Sequence, residues 1–362
     1  MNVPLLDLRP MLAAAEPAWR ANLARLFDRM HFILGEQVAA FETGLAAAFG
    51  AKYAVAVGSG TAAIELGLRA IGLGDSGAEV VVPTLTSPFT AQAVLAAGCK
   101  LRFADVDEDH LLCTPDLPVT RHTRAIVPVH LYGQPCDLTR LRRAGLPLVQ
   151  DACQAHGAPV TGRAVAYSFY PTKNLPCLGD GGAVTTDSAR VAARLRSLRD
   201  GGRRNNDQIA RERAINSRLD EMQACYLRAF LPKLAEWNAE RARLAALYDE
   251  AFASCPGVRP VARRAGSVCH LYVIRAGQRD RLRQFLSENG IMAGIHYPVP
   301  LHLQPAFHDF GLRKGSLPVA ERACREVLSL PLWPGMQAPA VEEVAGRVRE
   351  YYSSRALHPR HG

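Results

Sequence analysis

Along the first two hundred residues, short apolar runs alternate with stretches whose apolar positions recur every three or four residues. The runs at 53–57, 80–82, 101–104, 126–129 and 146–149 predict strands, and the stretches between them predict helices. Strands that are apolar throughout belong to a mostly parallel sheet covered on both faces, since a solvated face would show polar alternation. Ligands of such an open sheet sit at the carboxyl ends of its strands, so the polar residues directly after each run are the first place to look for chemistry.

From Ser217 the pattern turns helical, with Leu219, Met222, Tyr226 and Phe230 on one face until Pro232 interrupts it. A second helix is predicted over 234–252. After Pro256 a strand-like 270–275, a helix-like 279–289 ended by Gly290 and a proline-rich 297–305 follow. The expected architecture is α/β: a large domain with a mostly parallel sheet over 1–237, and a smaller C-terminal α/β domain over 238–362. Two domains imply a site in the cleft between them.

With 362 residues, 48% of them hydrophobic and 21% charged, the chain is globular and collagen, coiled-coil and disordered classes are excluded. A net charge of +9 is compatible with nucleic acid, a membrane surface or an anionic small molecule. The arginines are scattered (Arg194, Arg196, Arg199, Arg203, Arg204, Arg211, Arg213) without a run of five or interleaved aromatics, which favours the small molecule over nucleic acid or membrane. Nine cysteines show no C-x-x-C spacing and no histidine cluster, so no zinc site, other metal or disulfide framework is expected. Residues 1–10 lack the build of a signal peptide, and the uncharged 80–99 holds two prolines and reads as a buried strand and loop; a cytoplasmic location is expected.

Three constellations carry chemistry. Gly58-Ser59-Gly60-Thr61 sits between a strand and a helix, where free N–H groups, the positive helix end and two hydroxyls suit a phosphate; an ordinary helix N-cap is the competing reading. Asp151, at the exit of an apolar strand and three residues before Gln154, suits a protonated ring nitrogen and a neighbouring oxygen, again against an N-cap. Lys173 lies among apolar and glycine-rich neighbours, where burial lowers an amine's pKa toward nucleophilic, Schiff-base chemistry. A solvated surface lysine is its alternative. A phosphate cradle, an acid for a ring nitrogen and an activated lysine together match the demands of pyridoxal 5′-phosphate (PLP).

At this point a family resemblance is visible. Gly58-Ser-Gly-Thr61, Val127-Pro-Val-His130-Leu-Tyr132-Gly133, Asp151-Ala-Cys-Gln154-Ala-His-Gly157, Ser168-Phe-Tyr-Pro-Thr-Lys173-Asn-Leu, Gly179-Asp-Gly-Gly, Asn216-Ser-Arg-Leu-Asp-Glu221 and Gly294-Ile-His296-Tyr297-Pro resemble, in that order, the DegT/DnrJ/EryC1/StrS sugar aminotransferases. The resemblance implies a fold type I PLP-dependent enzyme working as a homodimer. It implies that Lys173 binds the cofactor and shuttles the proton, Asp151 holds the pyridine nitrogen protonated, and Gln154 meets the ring hydroxyl. Ser59, Gly60, Thr61 and Ser168 would take the phosphate, with Asn216 reaching it from the neighbouring subunit, while Tyr170, His296 and Tyr297 would contact the sugar.

Four departures qualify this. Ser87 and Pro88 stand where the family places an aromatic residue after Thr86, which leaves Phe89 as the stacking candidate; Gln150 replaces a Glu; 162–168 is shorter than usual; Thr172 replaces a frequent Gly. The expected reaction passes an amino group, from glutamate, to a keto group of a nucleotide-linked deoxysugar, with Arg218 a candidate for the anion. The forms of several motifs favour 3-keto-6-deoxyhexoses over 4-keto sugars. Aminocyclitol-type synthases of the same family and a non-catalytic PLP-binding sensor are the alternatives, and Lys173 argues against the dehydratases that carry histidine there.

Overall fold

The computed structural model describes residues 2–204 and 207–356. Its strands are β1 (Tyr53–Val57), β2 (Glu79–Pro83), β3 (Lys100–Ala104), β4 (Thr123–Ile126), β5 (Val149–Asp151), β6 (Ala164–Ser168), β7 (Gly182–Thr186), β8 (Val258–Pro260), β9 (Tyr272–Ala276) and β10 (Val327–Leu330). A β3-β2-β4 sheet and a β5-β6-β7-β1 sheet meet through parallel bridges at Ile126/Leu148 and Val129/Asp151, so the order runs β3-β2-β4-β5-β6-β7-β1. Only β7 runs against its neighbours. Its first residue therefore lies at the carboxyl ends of the others, with Gly182 paired to Val57 of β1 and Ser168 of β6.

Successive residues of one strand serve two cores, which is why the strands read as unbroken apolar runs. In β1, Val55 and Val57 face the core that holds the helices Gly60–Ala70 and Ala189–Leu198, while Ala54 and Ala56 face Phe41 and Leu45 of the helix Glu36–Ala48. The antiparallel sheet β10-β9-β8 builds a further core with Tyr248, Leu282, Leu286, Val344 and Val348 from the helices Leu234–Phe252, Arg279–Glu288 and Ala338–Ala356. The helix Leu234–Phe252 spans both regions: Leu234 and Trp237 pack beneath the large sheet, Leu244 and Phe252 in the second core. Val3 joins that second core too and pairs with Ile291.

Three expectations need correction. The run at 126–129 is strand only to Ile126, and that at 146–149 shifts to β5, because Pro128 and Pro147 lack the N–H that a continued ladder needs and leave single bridges instead. The stretch after β2 is not a loop: Pro88–Ala96 is a helix with Pro88 in its first turn, where a missing N–H costs nothing. Strands β6 and β7 went unread because their Ala, Ser and Gly positions carry little strand propensity.

Candidate active site

The turn after β1 opens the site. Ser59 caps the helix Gly60–Ala70 by accepting from the Ala62 N–H at 3.1 Å, so the N-cap reading holds. That cap leaves the N–H groups of Gly60 and Thr61 with no partner among the described residues, aimed outward at the positive helix end. Two close approaches place this turn. A Cβ on Gly60 would sit 2.5 Å from Ser168 Cβ and 2.9 Å from Cys153 Sγ, and one on Gly182 would sit 2.3 Å from the Ser59 carbonyl oxygen.

Asp151 ends β5 with no helix after it, which removes its N-cap reading. Its carboxylate is buried; Oδ1 accepts from the Cys153 N–H at 3.0 Å and Oδ2 from the Thr90 hydroxyl at 2.7 Å. Thr90 in turn lies 3.1 Å from the Thr86 hydroxyl, so the helix that begins at Pro88 braces this acid. Gln154 accepts from the Tyr132 N–H at 2.7 Å and donates to the Tyr297 hydroxyl at 3.1 Å. Burial first and Asp151 second push the Tyr297 phenol up to about 12, so it stays protonated.

Lys173 follows the irregular turn after β6. Burial holds its ammonium below the usual lysine range, with Cys153 and Asp151 opposing the shift. Its neighbour Asn174 is fully tied down, donating to Asn238 Oδ1 at 2.8 Å and to the Val268 carbonyl at 3.0 Å. His296 sits 2.9 Å from Ser329 Oγ, and burial followed by the Lys173 charge lowers it to about 4.

These groups share one cavity of about 500 Å³, lined by residues as far apart in sequence as Ser59 and Tyr297. Ser59, Gly60, Thr61, Phe89, Asp151, Gln154, Ser168, Tyr170, Lys173, His296 and Tyr297 all face it. Phe89 is 65% exposed, a ring with an uncovered face. Thr172 lies at the rim. Two expected residues are elsewhere: Asn216 is exposed and bridges to Asp200, and Arg218 pairs with Asp200 at 2.9 Å. Thr86, Thr90 and His270 also face the cavity and were missed.

The other departures have local explanations. Gln150 takes the His130 Nε2–H on its oxygen at 3.1 Å, because His130 Nδ1 already accepts from the Cys136 N–H. Its amide nitrogen donates to the Thr161 carbonyl at 3.1 Å, a bond no carboxylate makes. A Cβ on Gly162 would lie 2.4 Å from that nitrogen, so the short loop closes directly onto Gln150.

The donor set fits PLP: unpaired N–H groups and hydroxyls for a phosphate, a braced buried carboxylate for a protonated ring nitrogen, an uncovered aromatic face and a desolvated amine. Among the described residues no group of three His, Cys, Asp or Glu could hold a metal, the nine cysteines are free, and no helix is long and apolar enough to cross a membrane.

Similarity to known proteins points the same way. A dTDP-3-amino-3,4,6-trideoxy-alpha-D-glucose transaminase of Streptomyces venezuelae is 43% identical, with 97% of this chain and 96% of that protein aligned. The crystal structure of S. venezuelae DesV in complex with a ketimine intermediate superposes with a TM-score of 0.93 at 41% identity, covering 97% of this chain and 98% of that one. NtdA of Bacillus subtilis, solved with bound cofactor PMP, gives 0.88 at 28% identity over 96% of this chain and 85% of its own. Residues 16–349 match the profile of one family, and the chain belongs to it: the DegT/DnrJ/EryC1/StrS aminotransferases, PLP-dependent enzymes of fold type I.

Proposed function

We propose that this enzyme transfers an amino group from glutamate to the keto group of a nucleotide-linked 3-keto-6-deoxyhexose, working as a homodimer. The observation that carries the reading is the joint presence, in one cavity, of the phosphate cradle, Asp151 and Lys173, in a chain related to nucleotide-sugar 3-aminotransferases. When bound, PLP supplies the electron sink that lets an amino group leave one carbon and join another. The chain's residues do the rest. Gly60 and Thr61 N–H groups with the Ser59, Thr61 and Ser168 hydroxyls hold the phosphate, and Phe89 covers the ring. Asp151, braced by Thr90, keeps the proton on the ring nitrogen, and Gln154 meets the ring oxygen.

Lys173 Nζ, which burial favours as a neutral amine, takes the proton from the substrate carbon and returns it. Tyr170, 51% exposed at the rim, and the inner His296 and Tyr297 position the sugar. A division near Trp237 lets the second part supply those two inner residues to a site held by the first.

The dimer reading rests on Asn216, which is exposed and does not line its own cavity, and on apolar side chains exposed near its segment. Phe27, Met30, Phe32, Ile33 and Met222 form a patch that abuts the Asn216 segment through the Ile33/Asp220 bridge. Asn216 then reaches the partner's phosphate, and Arg218 with the basic surface meets the nucleotide. The test is to follow the absorbance of the PLP-loaded enzyme with glutamate, then with 3-keto and 4-keto sugar nucleotides in turn. Recovery with a 3-keto sugar alone supports the assignment; recovery with a 4-keto sugar alone moves the reaction to that position on the ring.

A further inference from the structure

His270 lines the same cavity, and its environment is specified atom by atom. It is buried just before β9, its backbone held between the Tyr132 carbonyl, which accepts its N–H at 3.0 Å, and Arg241, which donates to its carbonyl at 3.3 Å. Its ring nitrogen Nδ1 lies 2.9 Å from Asn174 Oδ1. Both amide protons of Asn174 are already directed at carbonyl oxygens, of Asn238 and Val268, so the atom facing His270 is the amide oxygen, which only accepts. The proton of the neutral ring is therefore on Nδ1. The Asn238 amide is oriented in turn, because its own nitrogen donates to the His156 carbonyl at 2.8 Å.

That arrangement leaves Nε2 as a bare lone pair. It has no partner among the described residues, protein atoms do not enclose it, and His270 lines the cavity, so the lone pair opens into it. The ring stays uncharged: burial first, then the positive charges of Lys173 and Arg241, hold it well below the ordinary 6.5.

A lone pair repels carboxylate and phosphate oxygens and takes only a group that brings a hydrogen. The amino donor's carboxylates and the cofactor's phosphate are excluded; a sugar hydroxyl fits. We propose that His270 is a substrate-contacting residue whose Nε2 accepts a hydrogen bond from a hydroxyl of the keto sugar, with Asn174 fixing its tautomer. This rests on the nucleotide-sugar reading above.

Two substitutions test it on the full-length, PLP-loaded enzyme. His270→Phe keeps the ring and removes the acceptor. His270→Gln keeps a donor for Asn174 and an oxygen for the cavity. The expected result is a KM for the keto-sugar half-reaction raised about 10- to 100-fold in His270→Phe, with the glutamate half-reaction within about threefold of native, and recovery to within about fivefold in His270→Gln. An unchanged sugar KM, or equal losses in both half-reactions, overturns the proposal. The tautomer has its own readout, independent of turnover. Nitrogen-15 NMR of the histidine-labelled chain, assigned with His270→Gln, should show a neutral ring protonated at Nδ1; protonation at Nε2 overturns the assignment. If native enzyme reacts with glutamate but with no keto sugar, the substrate reading fails instead, a result distinct from either.

Discussion

Asp151 and Lys173 are intelligible one residue at a time. A carboxylate at the exit of a buried strand needs partners, and Thr90 and the Cys153 N–H supply them while leaving lone pairs for a ring N–H. Asp151→Asn keeps the shape and removes the charge, and we expect kcat to fall about a hundredfold or more with the thermal midpoint little changed; a kcat within threefold of native would contradict this role. Both residues were legible in the sequence because their own flanks are unusual: an apolar strand before the acid, glycine and apolar residues around the lysine. Thr90 and His270 were not. Their meaning comes from partners 61 and 96 residues away, Asp151 and Asn174, and nothing local marks a threonine or histidine that closes such a pair.

At the scale of elements, the site depends on how tightly β7 and the turn after β1 approach. Because Gly182 has no Cβ, the Ser59 carbonyl can pass over it. Gly182→Ala should push that turn away, costing about 1–3 kcal/mol of stability and weakening PLP retention on dialysis; native retention would contradict the packing argument. A second element relies on a remote acid. Glu221 is buried and accepts from the N–H groups of Gly35, Gln37 and Val38 at 2.8, 2.7 and 2.9 Å, which closes the start of the helix Glu36–Ala48. Glu221→Ala should lower the unfolding free energy by about 3 kcal/mol in denaturant titration, and an effect below about 1 kcal/mol would mean water satisfies those groups as well. Apolar periodicity found β1, β2, β3 and the helix Leu234–Phe252, where burial alone dictates residue type. It missed β6 and β7, which small residues build because the turn and the cofactor cradle crowd against them.

For the whole molecule, the family motifs conveyed more than composition did: a basic charge named no partner, whereas the ordered motifs pointed to PLP and aminotransfer. The buried histidines have a global consequence. Burial lowers His130 to about 4, His156 to about 3 and His296 to about 4, against 6.5 when unfolded. Below pH 6.5 the unfolded chain thus binds protons the native one refuses, so stability present above that value is lost as pH falls toward 4. Each ring contributes up to about 1.4 kcal/mol per pH unit in that window. Thermal melts should shift steadily downward from pH 7 to 4; a flat midpoint would show that these rings are solvated. The central claim, amino transfer through Lys173 to a nucleotide-linked keto sugar, is tested most directly by a two-step absorbance experiment on PLP-loaded native enzyme and Lys173→Ala. Glutamate should convert the native cofactor to its amine form and a 3-keto-6-deoxyhexose nucleotide should restore it, while Lys173→Ala does neither. Full turnover by Lys173→Ala, or no restoration by any keto-sugar nucleotide, would contradict it.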